Sequence, residues 1–150
     1  MAKMLTKHPR MAQAECNAHV DELDVGAGAN ATIELGDDSS FTNVLAIFDL
    51  DDPAYDAASL PSAGSNSIAA IASVPINSVG LAAAGAGTPA TYARSKDKDG
   101  TVMETGTAGV AGSQPGSEDP WVVLNNATII EDQPVQIVSG TYEVRTSAPS

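Results

Sequence analysis

Thr91-Tyr92-Ala93-Arg94-Ser95-Lys96-Asp97-Lys98-Asp99-Gly100-Thr101-Val102-Met103-Glu104-Thr105-Gly106-Thr107 is the stretch that decides the fold. Two runs, Thr91 to Lys96 and Thr101 to Thr107, flank an Asp-Gly step. Glycine accepts the positive φ that a tight hairpin turn requires, so this reads as two antiparallel strands. The flanking sequence repeats the pattern of short apolar runs between turn residues. Upstream, Ala31 to Leu35 ends at Gly36-Asp37-Asp38, and Phe41 to Leu50 ends at Asp51-Asp52-Pro53. In the second run Val44, Ala46, Phe48 and Leu50 share one face, yet Leu45 and Ile47 on the other are also apolar. A strand apolar on both sides is covered on both.

Ser67 to Val79 reads as one further strand, with Ile68, Ala70, Ala72 and Val74 on one face. Pro75 and Asn77 push its end to an edge or bulge. Residues 80–88 are rich in Gly and Ala and are expected to be flexible, as is the loop 109–120. Downstream, Trp121 to Leu124 and Thr128 to Ile130 are strand-like around Asn125-Asn126. Val135 to Arg145 closes the domain, with Val135, Ile137 and Ser139 on one side and Gln136, Val138, Gly140, Tyr142 and Val144 on the other. Seven or eight short strands without βαβ alternation predict a mainly β protein, an antiparallel β-sandwich or jelly roll.

One short N-terminal helix precedes the strands. Pro9 suits a first helical turn. Ala12, Cys16, His19, Val20, Leu23 and Ala27 recur at helical spacing, with Gln13, Asn17, Asp21 and Asp24 opposite. Gly26-Ala27-Gly28 ends the run. Residues 1–9 are expected as a basic flexible arm, 10–146 as one domain and 147–150 as a tail. A chain of this length buries roughly 70% of its unfolded surface.

The net charge is −12, from 19 acids and 7 bases. That opposes nucleic-acid binding, which needs a basic footprint. Lone Cys16 excludes an internal disulfide and fits assembly in a reducing cytoplasm. No apolar window is long enough to span a membrane, and no signal-peptide core is present.

No constellation reads as catalytic, and neither cofactor nor metal is expected. Cys16 and His19 sit three apart on a helix face, but zinc needs about two more Cys or His ligands, and His8 alone remains. The acids Asp49, Asp51, Asp52 and Asp56, and the Asp97/Asp99 pair, lack the terminal glutamate of a calcium loop. A serine nucleophile would want a positioned histidine, and both histidines lie at the N-terminus. Sugar sites favour aromatic platforms, for which Trp121 and Tyr55 are the candidates.

Beside these readings, the chain resembles a family of small bacteriophage virion proteins encoded among head and tail genes. The resemblance runs through Thr32-Ile33-Glu34-Leu35, Asp52-Pro53-Ala54-Tyr55, Thr91-Tyr92-Ala93-Arg94 and Asp97-Lys98-Asp99-Gly100-Thr101-Val102. It continues in Leu124-Asn125-Asn126-Ala127-Thr128-Ile129 and Val135-Gln136-Ile137-Val138-Ser139. It covers most of residues 10–145 through short, degenerate motifs. Glu131-Asp132-Gln133-Pro134 departs from the Gly turn usual there, and the 109–120 loop is long. The resemblance implies a jelly-roll type fold, no catalytic residues and a structural role in the virion. The expectation that follows is a cement or decoration protein on the capsid surface, assembled in the bacterial cytoplasm. Its partners would be the major capsid protein and copies of itself, as dimer or trimer. The alternatives are a tail, neck or baseplate component, or a receptor- or glycan-binding module. Expected partner contacts are Lys3, Lys7 and Arg10 in the arm, Val20 and Leu23 on the helix, Trp121, and the loops 56–66 and 109–118.

Overall fold

A computed structural model of the chain describes residues 6–146. The helix α1 spans Pro9–Asp21 and runs on into a 3-10 turn at Glu22–Asp24. Pro9 takes its first turn, where a missing N–H costs nothing, and His8 caps it by accepting from Arg10 N at 3.2 Å. Ala12, Cys16, Val20 and Leu23 are buried as the spacing predicts. Ala27 is not: the helix has already ended, and Ala27 lies exposed in the turn.

The strands are β1 (Thr32–Gly36), β2 (Val44–Asp49), β3 (Asn66–Ala70), β4 (Ile76–Val79) and β5 (Thr88–Pro89). They continue with β6 (Tyr92–Lys96), β7 (Val102–Gly109), β8 (Val122–Leu124), β9 (Thr128–Ile129) and β10 (Pro134–Arg145). The main sheet runs β2-β1-β6-β7-β8-β10-β3, with β4 also on β10, and β5 pairs with β9 apart from it. The sheet curls until its ends approach. Leu81 N donates to Leu45 O at 2.8 Å, and Ser78 Oγ donates to Ile47 O. The result is a mostly β, sandwich-like fold with α1 packed against β3 and β10. One core, from Leu23 through Ile33, Phe48 and Ile71 to Ile137, fills the interior.

The expected hairpin is present. Asp97 Oδ1 accepts from Asp99 N and Thr101 N, and Gly100 has φ +83°. Four other expectations change. First, β7 and β8 are parallel. Parallel neighbours need a connection of about a dozen residues, and the long loop after β7 supplies it. That loop is held by its own bonds, with Gly112 N on Asp119 Oδ1 and Gln114 N on Glu118 O.

Second, residues 67–79 form two strands that share an edge of β10, divided at 71–75. The face shared by Ile68, Ala70 and Val74 is the outer one. Ser67, Ala69 and Ile71 face the core, whereas Ile68, Ala70 and Val74 are exposed. Ile71 is the large anchor that fixes this parity, and Ser67 tolerates burial because its hydroxyl donates to Ser59 O at 2.7 Å. Ala72 is buried too, inside the break.

Third, β10 does not keep one face inward. Its pairing with β8 slips between Ile137 and Ser139, so Val138 is an extra residue. An extra residue exchanges the faces of everything beyond it. Val135 and Ile137 are buried before the slip, and Gly140 and Val144 after it.

Fourth, the 80–88 stretch is bonded in. A 3-10 turn at Ala82–Ala84 buries Ala84, Glu131 N donates to Gly85 O, and a Cβ at Gly80 would collide with the Ile130 carbonyl. The two-sided cover expected of β2 is also partial: Leu45 is buried and Ile47 exposed.

Candidate functional site

The polar groups of the sequence converge first beneath α1. Glu104 on β7, whose side chain is 13% exposed, accepts from Ser95 Oγ at 3.0 Å and meets His19 Nε2 at 3.0 Å. The His19 ring stacks on Tyr142 of β10, centroids 3.7 Å apart and planes within 6°. Cys16 Sγ lies 3.6 Å from Tyr142 O, and burial pushes the thiol pKa up. A reactive cysteine needs a lowered pKa and access, and Cys16 has neither. Tyr55 is buried alongside. Burial, then the Glu104 charge, holds its proton well above the phenol range, and its hydroxyl finds no protein hydrogen-bond partner of acceptable geometry. This cluster clamps α1 to the sheet. Among the described residues no group of three or more His, Cys, Asp or Glu is arranged to hold a metal ion.

The helix face opposite the core has its own task. Gln13 Nε2 donates to Ala58 O, Asn17 Oδ1 accepts from Ala58 N, and Asp24 Oδ1 accepts from Ala54 N. These side chains hold segment 54–59 along the free edge of β3, where Asp56 N and Ser59 N also bond to β3 carbonyls. The first part of the expected 56–66 loop is therefore tied down.

Charge is distributed unevenly along the chain. No Lys or Arg occurs between Arg10 and Arg94, nor between Lys98 and Arg145. Lys7 pairs with Glu15 at 2.6 Å, Arg94 and Lys96 share buried Glu34 at 2.7 and 3.1 Å, and Lys98 meets Asp52 at 2.8 Å. Arg94 also lies over the Phe41 ring. Three of the acids considered as cation ligands accept hydrogen bonds within the fold, Asp97 in its own turn and the other two from distant segments. Asp51 takes Ser73 Oγ, and Asp99 takes Ala27 N.

Against this geometry the expected contact residues divide. Lys3 lies outside the described residues. Lys7 is held by Glu15, and its backbone N donates to Thr146 O, so Lys7 is tied to the domain and is not part of a flexible arm. Arg10 is exposed. Val20 and Leu23, at 2% and 1% exposure, are corrected: they pack into the chain's own core and are not presented to a partner. Trp121 is half-buried over Gly106, and Tyr55 is buried, so neither offers an open sugar platform.

Two surfaces escaped sequence reading. One is a groove of about 420 Å³ between Tyr92, Thr107 and the 110–114 segment, lined by uncharged residues. The other is the outer wall where the sheet's ends meet, with Ile47, Val79, Leu81 and Ile130 all 36–49% exposed. The wall is hidden in sequence because its residues come from three distant segments. No helix among the described residues is long and apolar enough to cross a membrane. Comparison with protein-family models, curated proteins and solved structures finds no match to this chain.

Proposed function

We propose that the chain is a non-enzymatic structural protein of a bacteriophage particle, a cement or decoration protein that bridges major capsid protein subunits. The observation that carries this reading is the exposed aliphatic wall on a domain whose own core is already filled. Apolar surface gathered in one place marks an interaction face. The domain behind it is tied by its own hydrogen bonds, so docking demands little ordering entropy. Repetition over a symmetric shell multiplies a modest contact. A tail, neck or baseplate position would use the same wall. A glycan-binding module is favoured by the other surface, since Tyr92 and neighbouring Thr, Ser and Gln side chains line the groove.

Co-sedimentation of the purified protein with expanded phage heads lacking it, followed by heating, tests the reading. Saturable binding and a raised disruption temperature are expected. Absence from heads with recovery in purified tails overturns the capsid assignment in favour of the tail.

A further inference from the structure

We infer that the groove between Tyr92, Thr107 and the 110–114 segment binds an uncharged carbohydrate, one sugar ring of which packs against the Tyr92 ring.

The groove exists because its floor is built of small residues. Ala90 lies between β5 and β6, and Ala108 and Gly109 end β7; all three are buried, and none reaches past a methyl group. The walls are fixed by the fold. Tyr92 and Thr107 are a cross-strand pair of the hairpin. The far wall is held by Ser113 N on Val110 O, Gly112 N on Asp119 Oδ1 and Gln114 N on Glu118 O. Gly109 lets that wall close in, since a Cβ there would meet Ser113 Oγ at 2.7 Å. At about 420 Å³ the groove falls in the size range of small-molecule sites. A wall ordered in advance lowers the entropy cost of binding.

The class of ligand follows from the lining. None of its side chains carries a charge, in a chain of net charge −12. The charges nearby are engaged elsewhere or point away from it. Arg94, next after Tyr92 on the same face of β6, pairs with Glu34 at 2.7 Å. Asp37, beside Thr91, accepts from Asn43, and Glu118 lies exposed outside the lining. A charged ligand would lose water here without meeting a counter-ion, and an anion would also oppose the field of the whole protein.

The amides of the floor are already bonded, Ala90 N to Ala127 O and Ala108 N to Thr91 O. An extended peptide therefore finds no ladder on them. Recognition falls to side chains, and their remaining capacity is mixed. Thr107 Oγ1 accepts from Trp121 N at 3.2 Å and keeps its own O–H to donate. Ser113 Oγ accepts from Gln114 Nε2 at 3.3 Å and keeps its O–H likewise, while Gln114 Oε1 is left to accept. Donors and acceptors set close together match sugar hydroxyls, each of which does both. Tyr92 adds an aromatic ring for the apolar C–H side of the sugar and a phenol at its edge.

The inference rests on the glycan-binding reading and is independent of the capsid one. Its test is saturation-transfer NMR of the full-length protein with maltotriose, lactose, mannotriose and chitotriose, and with charged sialyllactose and trigalacturonate, followed by calorimetric titration of those that bind. At least one neutral oligosaccharide is expected to bind, more tightly than either charged one. Tyr92→Ala weakens it about tenfold or more and Gln114→Ala about threefold. Tyr92→Phe, which keeps the ring, and Met103→Asp, on an exposed side chain of β7 outside the groove, both retain it. Far-UV circular dichroism verifies that each variant is folded. Tighter binding of a charged oligosaccharide, or undiminished binding by both Tyr92→Ala and Gln114→Ala, overturns the inference and leaves the glycan reading standing. Binding of none of the six overturns both. Loss of head binding by folded Tyr92→Ala assigns the groove to the capsid partner and overturns the inference while supporting the capsid reading.

Discussion

The β6–β7 hairpin and strand β10 each carry one irregularity in their ladders, with opposite consequences. In the hairpin the slip falls between Ser95 and Lys96, at the last pair before the turn. No strand remains beyond it to be turned over, and Ala93 and Ser95 stay buried in strict alternation. In β10 the slip falls between Ile137 and Ser139, with most of the strand still to come. Everything after it changes sides. A bulge is thus nearly free next to a turn, and in mid-strand it redefines a face.

The sharpest way to break this comparison is to place a charge on either side of the slip. Ile137→Asp puts a carboxylate in the core and should cost more than about 4 kcal/mol, leaving the chain unfolded. Val138→Asp should change stability by no more than about 0.5 kcal/mol. Urea unfolding measures both. Equal damage from the two would mean that the bulge does not exist in solution.

A smaller effect sharpens the same contrast on the neighbouring strand. Ile71→Ala should cost about 3 kcal/mol through lost burial and a cavity. Ile68→Ala, on the exposed parity, should cost less than about 1 kcal/mol. Reversed magnitudes would put the Ile68 face in the core instead.

The smallest effect at neutral pH comes from Tyr55, which forms a bridge with Ile71. Its proton is held in the fold well above the ordinary phenol range. As pH rises past about 10, the unfolded chain releases this proton and the folded chain keeps it. Folding stability then falls by about 1.4 kcal/mol per pH unit from this one group. Tyr55→Phe removes that loss and leaves no buried hydroxyl to satisfy. Its stability should match or slightly exceed wild type at pH 7 and decline less steeply in alkali. Parallel alkaline slopes for wild type and variant would show that the hydroxyl is solvated.

Sequence disclosed whatever was written locally. Pro9 marked the start of α1 and Asp99-Gly100 the hairpin, because each fixes its own backbone, whereas α1 ends at Asp21, short of the Gly26 stop read from sequence. The mainly β class followed from the spacing of such signals. What stayed hidden depends on partners far along the chain. The parity of β3 is set by Ile71 and by a hydroxyl partner at Ser59. The pinned 80–88 stretch depends on the backbone groups of residues 131–133. The polar face of α1 carried no local sign that Asn17 and Asp24 hold Ala58 and Ala54. The contact residues suffered likewise. An apolar helix stripe has the same sequence whether it covers its own sheet or a neighbour's, and here Val20 and Leu23 cover their own.

Strand β10 pairs with β3, β4 and β8 at once. Of the described strands it is also the last in chain order. Until it arrives, β3 and β4 lack their ladder partner and β8 has only its short parallel pairing with β7. Helix α1, made before these strands, must wait for the β10 half of its platform. Such dependence on distant pairing slows folding and leaves sticky edges open meanwhile. The described domain therefore closes on a nascent chain only once β10 has emerged.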